Sequence, residues 1–80
     1  MIHFAKIDKS ERLQRLLGLL RDGKAHTTFD LASATNSMAV HTDIAELRAN
    51  GHRVRTQFLG RRADGRRIYA YQLLEEVAHV

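Results

Sequence analysis

The side chains most able to do chemistry lie in one short stretch. Arg48, Arg53, Arg55, Arg61, Arg62, Arg66 and Arg67 stand against Asp64 alone, so residues 48–67 sum to +6. Residues 1–47 carry six basic and six acidic side chains, and residues 68–80 add only Glu75 and Glu76, so the whole excess charge of the chain sits in that stretch. Every cation in it is arginine, whose planar fork of donors fits phosphate oxygens and the edge of guanine better than a lysine ammonium does. An ordinary solvated surface mixes both signs. This pattern points instead to an extended anionic partner.

Other site chemistry finds little support. The five histidines, at positions 3, 26, 41, 52 and 79, form no i, i+4 pair on one helix, and the chain has no cysteine to complete a metal site. No glycine-rich phosphate loop is present. Ser33 and Ser37 have no base at a recognisable spacing, so nucleophilic catalysis is not expected. The reading is of a non-enzyme with no cofactor, no metal and no small-molecule ligand. Tyr69 and Tyr71 could stack on bases, but the strand pattern favours core packing for both.

Eighty residues are expected to make one domain, residues 1–80, with its core over about 10–73. The absence of cysteine fits a reducing cytoplasm. The opening MIHFAKIDKS lacks the apolar run of a secretory signal, so the expectation is a cytoplasmic chain with no membrane partner.

The elements that must position the arginines can be read from periodicity. Leu13, Leu16, Leu17 and Leu20 form the apolar stripe of a first helix. Asp8 with Glu11 resembles a capping box before it, and Asp22-Gly23 ends it. Gly18 inside that helix suggests close packing against a neighbour. A short second helix starts at Thr27 or Thr28, with Asp30 three residues after Thr27, and runs to Thr35. Asn36-Ser37 interrupts the pattern. A third helix spans about Met38 to Asn50, with Gly51 as its stop. Val40, Ile44 and Leu47 share its inner face; Met38, Thr42, Ala45 and Ala49 share the opposite one, flanked by Ala39, His41 and Glu46. The leucine stripe would pack on Phe29, Leu31, Val40, Ile44, Leu47, Val54 and Phe58.

Residues 52–59 and 67–73 read as two strands, with Asp64-Gly65 as the turn. A two-residue turn there opposes Thr56 to Leu73, Phe58 to Tyr71, Gly60 to Tyr69, and Arg62 to Arg67. Most large apolar side chains then share one face, with Leu59 and Ile68 as exceptions. Like charges opposed across a hairpin are destabilising, so a fold selected only for stability would not favour four arginines around one turn, and an anionic partner would turn the repulsion into attraction.

The expected fold class is α+β: three helices followed by a two-stranded β-hairpin. This order resembles that of winged helix-turn-helix domains, most of all the small regulators of bacteria and phages. The resemblance is sharpest in VHTDIAELRANGHRVRT, Val40 to Thr56, where Ile44, Leu47, Arg48 and Gly51 are followed by the basic strand His52-Arg53-Val54-Arg55. HTTFDLASATNS is similar to the second helix and turn of that unit, and YAYQL to the strand that closes the wing. The similarity covers roughly residues 10–73.

The resemblance implies sequence-selective binding of double-stranded DNA by a transcription regulator. The third helix would enter the major groove, and the arginine-rich wing would lie on a neighbouring backbone or minor groove. The implied groove-facing residues are Ser37, Met38, Ala39, His41, Thr42 and Ala45. Arg61, Arg62, Arg66 and Arg67 would form the wing contact, and Arg48, Arg53 and Arg55 would track phosphates beside it. The helix lacks Arg, Asn or Gln in its first two turns, so direct base readout is modest and DNA shape carries more. Glu46 sits toward the groove in this reading. Two alternatives stay open: an excisionase-like architectural factor that bends DNA, and a protein-interaction module using the apolar outer face of the third helix. A homodimer is an open partner, through Ile2, Phe4 and Ile7 or through Leu74, Val77 and Val80.

Overall fold

Leu13, Leu16, Leu17 and Leu20 are all buried, as their spacing requires, and the rest of the molecule is built around them. The computed structural model describes residues 10–74. In chain order they form α1 (Glu11–Leu20), β1 (His26–Thr27), α2 (Thr28–Thr35), α3 (Val40–Ala49), β2 (Val54–Arg61) and β3 (Arg67–Leu73). Leu31 from α2, Val40, Ile44 and Leu47 from α3, and Val54, Tyr71 and Leu73 from the sheet close over the leucine stripe. Two residues expected in this core are not in it: Phe29 and Phe58 are exposed. Phe29 is the second residue of α2, and Phe58, on β2, has its ring 5.7 Å from that of Tyr69.

The caps explain where each helix starts and stops. Ser10 caps α1, its hydroxyl accepting the Leu13 N–H at 3.2 Å, in place of the expected Asp8–Glu11 box; Asp8 is outside the described residues. Thr27 does the same for α2, accepting from the Asp30 N–H at 3.1 Å. Asn36 ends α2 in the left-handed region, at φ 55°, which a short polar side chain tolerates. Gly51, at φ 95°, ends α3, where the His52 N–H reaches back to the Leu47 carbonyl at 3.1 Å. Gly18 has no packing role of the kind expected. It is exposed, and a Cβ built there would meet no atom within 4 Å.

The sheet has three antiparallel strands, in the order β1-β3-β2, where a two-stranded hairpin was expected. The added strand is the two-residue approach to α2, with His26 paired to Tyr71 and Thr27 to Ala70. Side chains hold this approach in place. The Gln72 amide donates to the Gly23 carbonyl at 2.7 Å, and both carboxylate oxygens of Asp22 lie 3.0 Å from His26 Nε2. The His26 contact and the Lys24 backbone N–H hold the Asp22 carboxyl below its ordinary value.

The hairpin register differs from the expected one by two residues up to Phe58 and by one nearer the turn. Val54 faces Leu73, Thr56 faces Tyr71 and Phe58 faces Tyr69; a bulge at Leu59 then shifts the pairing, and Gly60 faces Ile68. The turn accounts for one residue of the shift and the bulge for the other. Arg62 N–H donates to the Arg66 carbonyl at 2.8 Å and Gly65 N–H to the Arg62 carbonyl at 2.9 Å, so the loop has three residues and Gly65 takes the left-handed position at φ 87°. Up to the bulge the shift of two keeps side chains on their expected faces, because strand periodicity is two; between the bulge and the turn the shift is one, so Gly60 faces Ile68 in place of Tyr69, and Arg61 in place of Arg62 faces Arg67. The bulge accounts for Leu59, which falls out of the alternation.

Candidate nucleic-acid interface

Of the expected site residues Ser37 alone is buried; the others are exposed, though His41 and Arg48 also make contacts within the fold. Thr42 and Ala45 are exposed on the outer side of α3; Met38 and Ala39 are exposed just before it, since α3 starts at Val40 and not at Met38 as expected, and Met38 is at full exposure. Arg53, Arg55, Arg61, Arg62, Arg66 and Arg67 are exposed on the two long strands and their turn.

Ser37 and Glu46 are placed differently from expectation, and Arg48 and His41 stay exposed while bonding within the fold. Ser37 is buried; its hydroxyl accepts the Ala39 N–H at 3.1 Å and donates to Asp43 Oδ2 at 2.6 Å. It therefore sets the start of α3 from within. Glu46 turns away from the outer face toward α1, where Arg12 meets its carboxylate at 2.9 Å. Arg48 donates through Nε and NH2 to the Val54 carbonyl, at 3.2 and 2.7 Å, and through NH2 to Thr56 Oγ1 at 2.9 Å. It ties the end of α3 to β2. His41 leans on the sheet, with Nδ1 meeting the Tyr71 hydroxyl and its ring edge-on to both tyrosines. Burial raises the Tyr71 phenol above its ordinary value, so it stays protonated and able to donate.

Asp43 is the residue that sequence reasoning missed. It is 2% exposed, and besides Ser37 it accepts from Arg12 Nε at 2.9 Å. A buried carboxylate needs such partners, because an unpaired one costs several kcal/mol, of order 3–5. The signal was present: Asp43 falls between Val40, Ile44 and Leu47 on the inner face, where an acid is out of place without a nearby arginine.

Two clefts bear the arginines of the hairpin end. The larger, about 410 Å³, has Thr28 and Phe29 from the start of α2 on one side, His41 behind, and Arg62, Arg66, Arg67 and Tyr69 on the other. The second, about 310 Å³, lies farther along the hairpin between Phe58, Arg61, Arg67 and Tyr69. Tyr69 and Arg67 border both. Neither cleft is lined by a carboxylate; Asp64 stands at the turn, 3.9 Å from Arg62 Nε and Arg66 Nε.

Comparison with protein families, with curated proteins and with solved structures finds no match to this chain. Its surface chemistry therefore has to carry the functional reading. Among the described residues no helix is long and apolar enough to cross a membrane, and no group of three His, Asp or Glu is placed to hold a metal ion.

Proposed function

We propose that this protein binds double-stranded DNA as a small winged helix-turn-helix regulator of bacterial or phage type, working in the cytoplasm by occupying DNA and not by catalysis. One observation carries the reading. Six exposed arginines lie on one hairpin, with only Asp64 among them, beside a helix whose outer face is uncommitted to the core. The hairpin would supply the phosphate contacts that fix position on the duplex. Met38 and Ala39 can touch a thymine methyl, and Thr42 can make a single hydrogen bond to a base edge. With Glu46 held by Arg12 and Asp43 buried, α3 presents no unpaired carboxylate that would repel a phosphate.

Titration of duplex DNA across a range of salt tests this. If about four arginines each meet a phosphate, log affinity falls against log salt with a slope of about −3 to −4. A flat response, or no binding at low salt, ends the proposal. Met38 gives specific support to one other reading, since a fully exposed methionine also suits a protein-interaction face. Binding to a partner protein with weak salt dependence would favour that reading.

A further inference from the structure

We infer that the larger cleft takes up one unpaired nucleotide of a DNA strand, with its phosphate among Arg62, Arg66 and Arg67 and its base against Phe29 and Tyr69. The inference rests on the reading that the hairpin faces DNA, and it adds a binding mode that duplex recognition does not need.

The cleft combines the two chemistries a nucleotide presents. Its hairpin side carries three exposed guanidinium groups and no carboxylate in the lining. Its helix side carries Phe29, which is 76% exposed at the first turn of α2. An aromatic ring left in water at a helix start contributes little to folding, whereas a ring beside arginines is a platform on which any base can stack. Tyr69 is half-buried and faces both clefts, so it lines the space from the sheet side.

A strand, in preference to a free nucleotide, is indicated by how far the positive charge extends. Arg61 and Arg67 continue it into the second cleft beside Phe58, whose ring lies 5.7 Å from that of Tyr69. One nucleotide would leave that second arginine and aromatic set unused. A strand running along the hairpin would meet both in turn. A paired base cannot enter, because its face is covered in the stack, so the occupant must be a base already unpaired or pulled out of the helix.

The test compares two short duplexes of one sequence, one fully paired and one with a single extra unpaired base, by fluorescence anisotropy at low salt. The expected result is at least about fivefold tighter binding of the second, the lower end of what one stacked base contributes. Phe29→Ala should abolish that preference and leave the affinity for the paired duplex within twofold. Leu59→Ala, an exposed apolar change outside both clefts, should leave both affinities unchanged. A 2-aminopurine at the unpaired position should lose fluorescence on binding to the natural protein and keep it with Phe29→Ala. Equal affinity for the two duplexes overturns the inference and leaves duplex binding standing. So does displacement of the strand by a free nucleoside monophosphate at equal concentration. Failure to bind either duplex overturns both readings.

Discussion

Arg61 lies directly across the β2–β3 ladder from Arg67. Two guanidinium groups in opposed positions repel each other, and the carboxylate of the turn, Asp64, stands beside Arg62 and Arg66 instead. Arg61 also donates to the Gly65 carbonyl at 3.3 Å, an exposed contact, and an anion between the two cations would offset their repulsion. Replacing both with glutamine should leave the melting temperature unchanged or slightly raised, by roughly a few tenths of a kcal/mol in stability. In duplex titrations the same variant should bind more weakly, with the salt slope reduced by about 0.9 for each phosphate no longer neutralised. A clear fall in melting temperature, with affinity per folded molecule unchanged, would give the pair a structural role.

The chain Ser37–Asp43–Arg12 joins the start of α3 to α1. Arg12→Ala leaves a carboxylate at 2% exposure with Ser37 as its remaining side-chain partner, and should cost about 1–3 kcal/mol in urea unfolding. Glu46→Ala removes only the outer half of the arrangement. It should cost under about 1 kcal/mol, as partly exposed pairs do. If the two variants lose equal stability, Asp43 does not depend on Arg12.

Gly18 sits mid-helix in open space. Gly18→Ala should therefore stabilise the protein by about 0.5–1 kcal/mol, through the smaller entropy lost on forming α1. Thermal unfolding checks this directly; destabilisation would mean that the exposed side of α1 is covered in solution.

Thr42 is exposed on the outer side of α3, away from the core. Thr42→Ala should leave the melting curve in place and change preference at one base pair by about 1 kcal/mol. Competition among single-base variants of a selected site provides the measurement. Equal loss on every sequence, or none on any, would show that this helix does not read bases.

Much of the architecture was legible because periodicity is a property of local sequence. The leucines of α1, the inner face Val40, Ile44 and Leu47, and the stops at Gly23 and Gly51 all follow from spacing and backbone freedom. What escaped depended on contacts between distant segments. β1 is two residues long and has no pattern of its own; it exists because Tyr71 and Ala70 offer an unpaired edge. The hairpin register slipped by one residue because Asp64-Gly65 also fits a three-residue turn, and by one more because no sequence signal marked the bulge at Leu59. Within the candidate site, exposure was readable for Met38, Thr42 and the hairpin arginines. The partners of Ser37, Glu46 and Arg48 were not, since each is brought in by another part of the fold.

The ties of Arg48 to Val54 and Thr56, and of His41 to Tyr71, act at opposite ends of α3. Together they make the helix and the hairpin a caliper of fixed gap. The conformational entropy of setting that gap is lost once, during folding, and not again at each encounter with a partner. Under the proposed reading, affinity then depends on whether the spacing between the two contacted regions of DNA matches the gap. A duplex that must bend to present them would bear the deformation itself, because this protein has little slack with which to meet it.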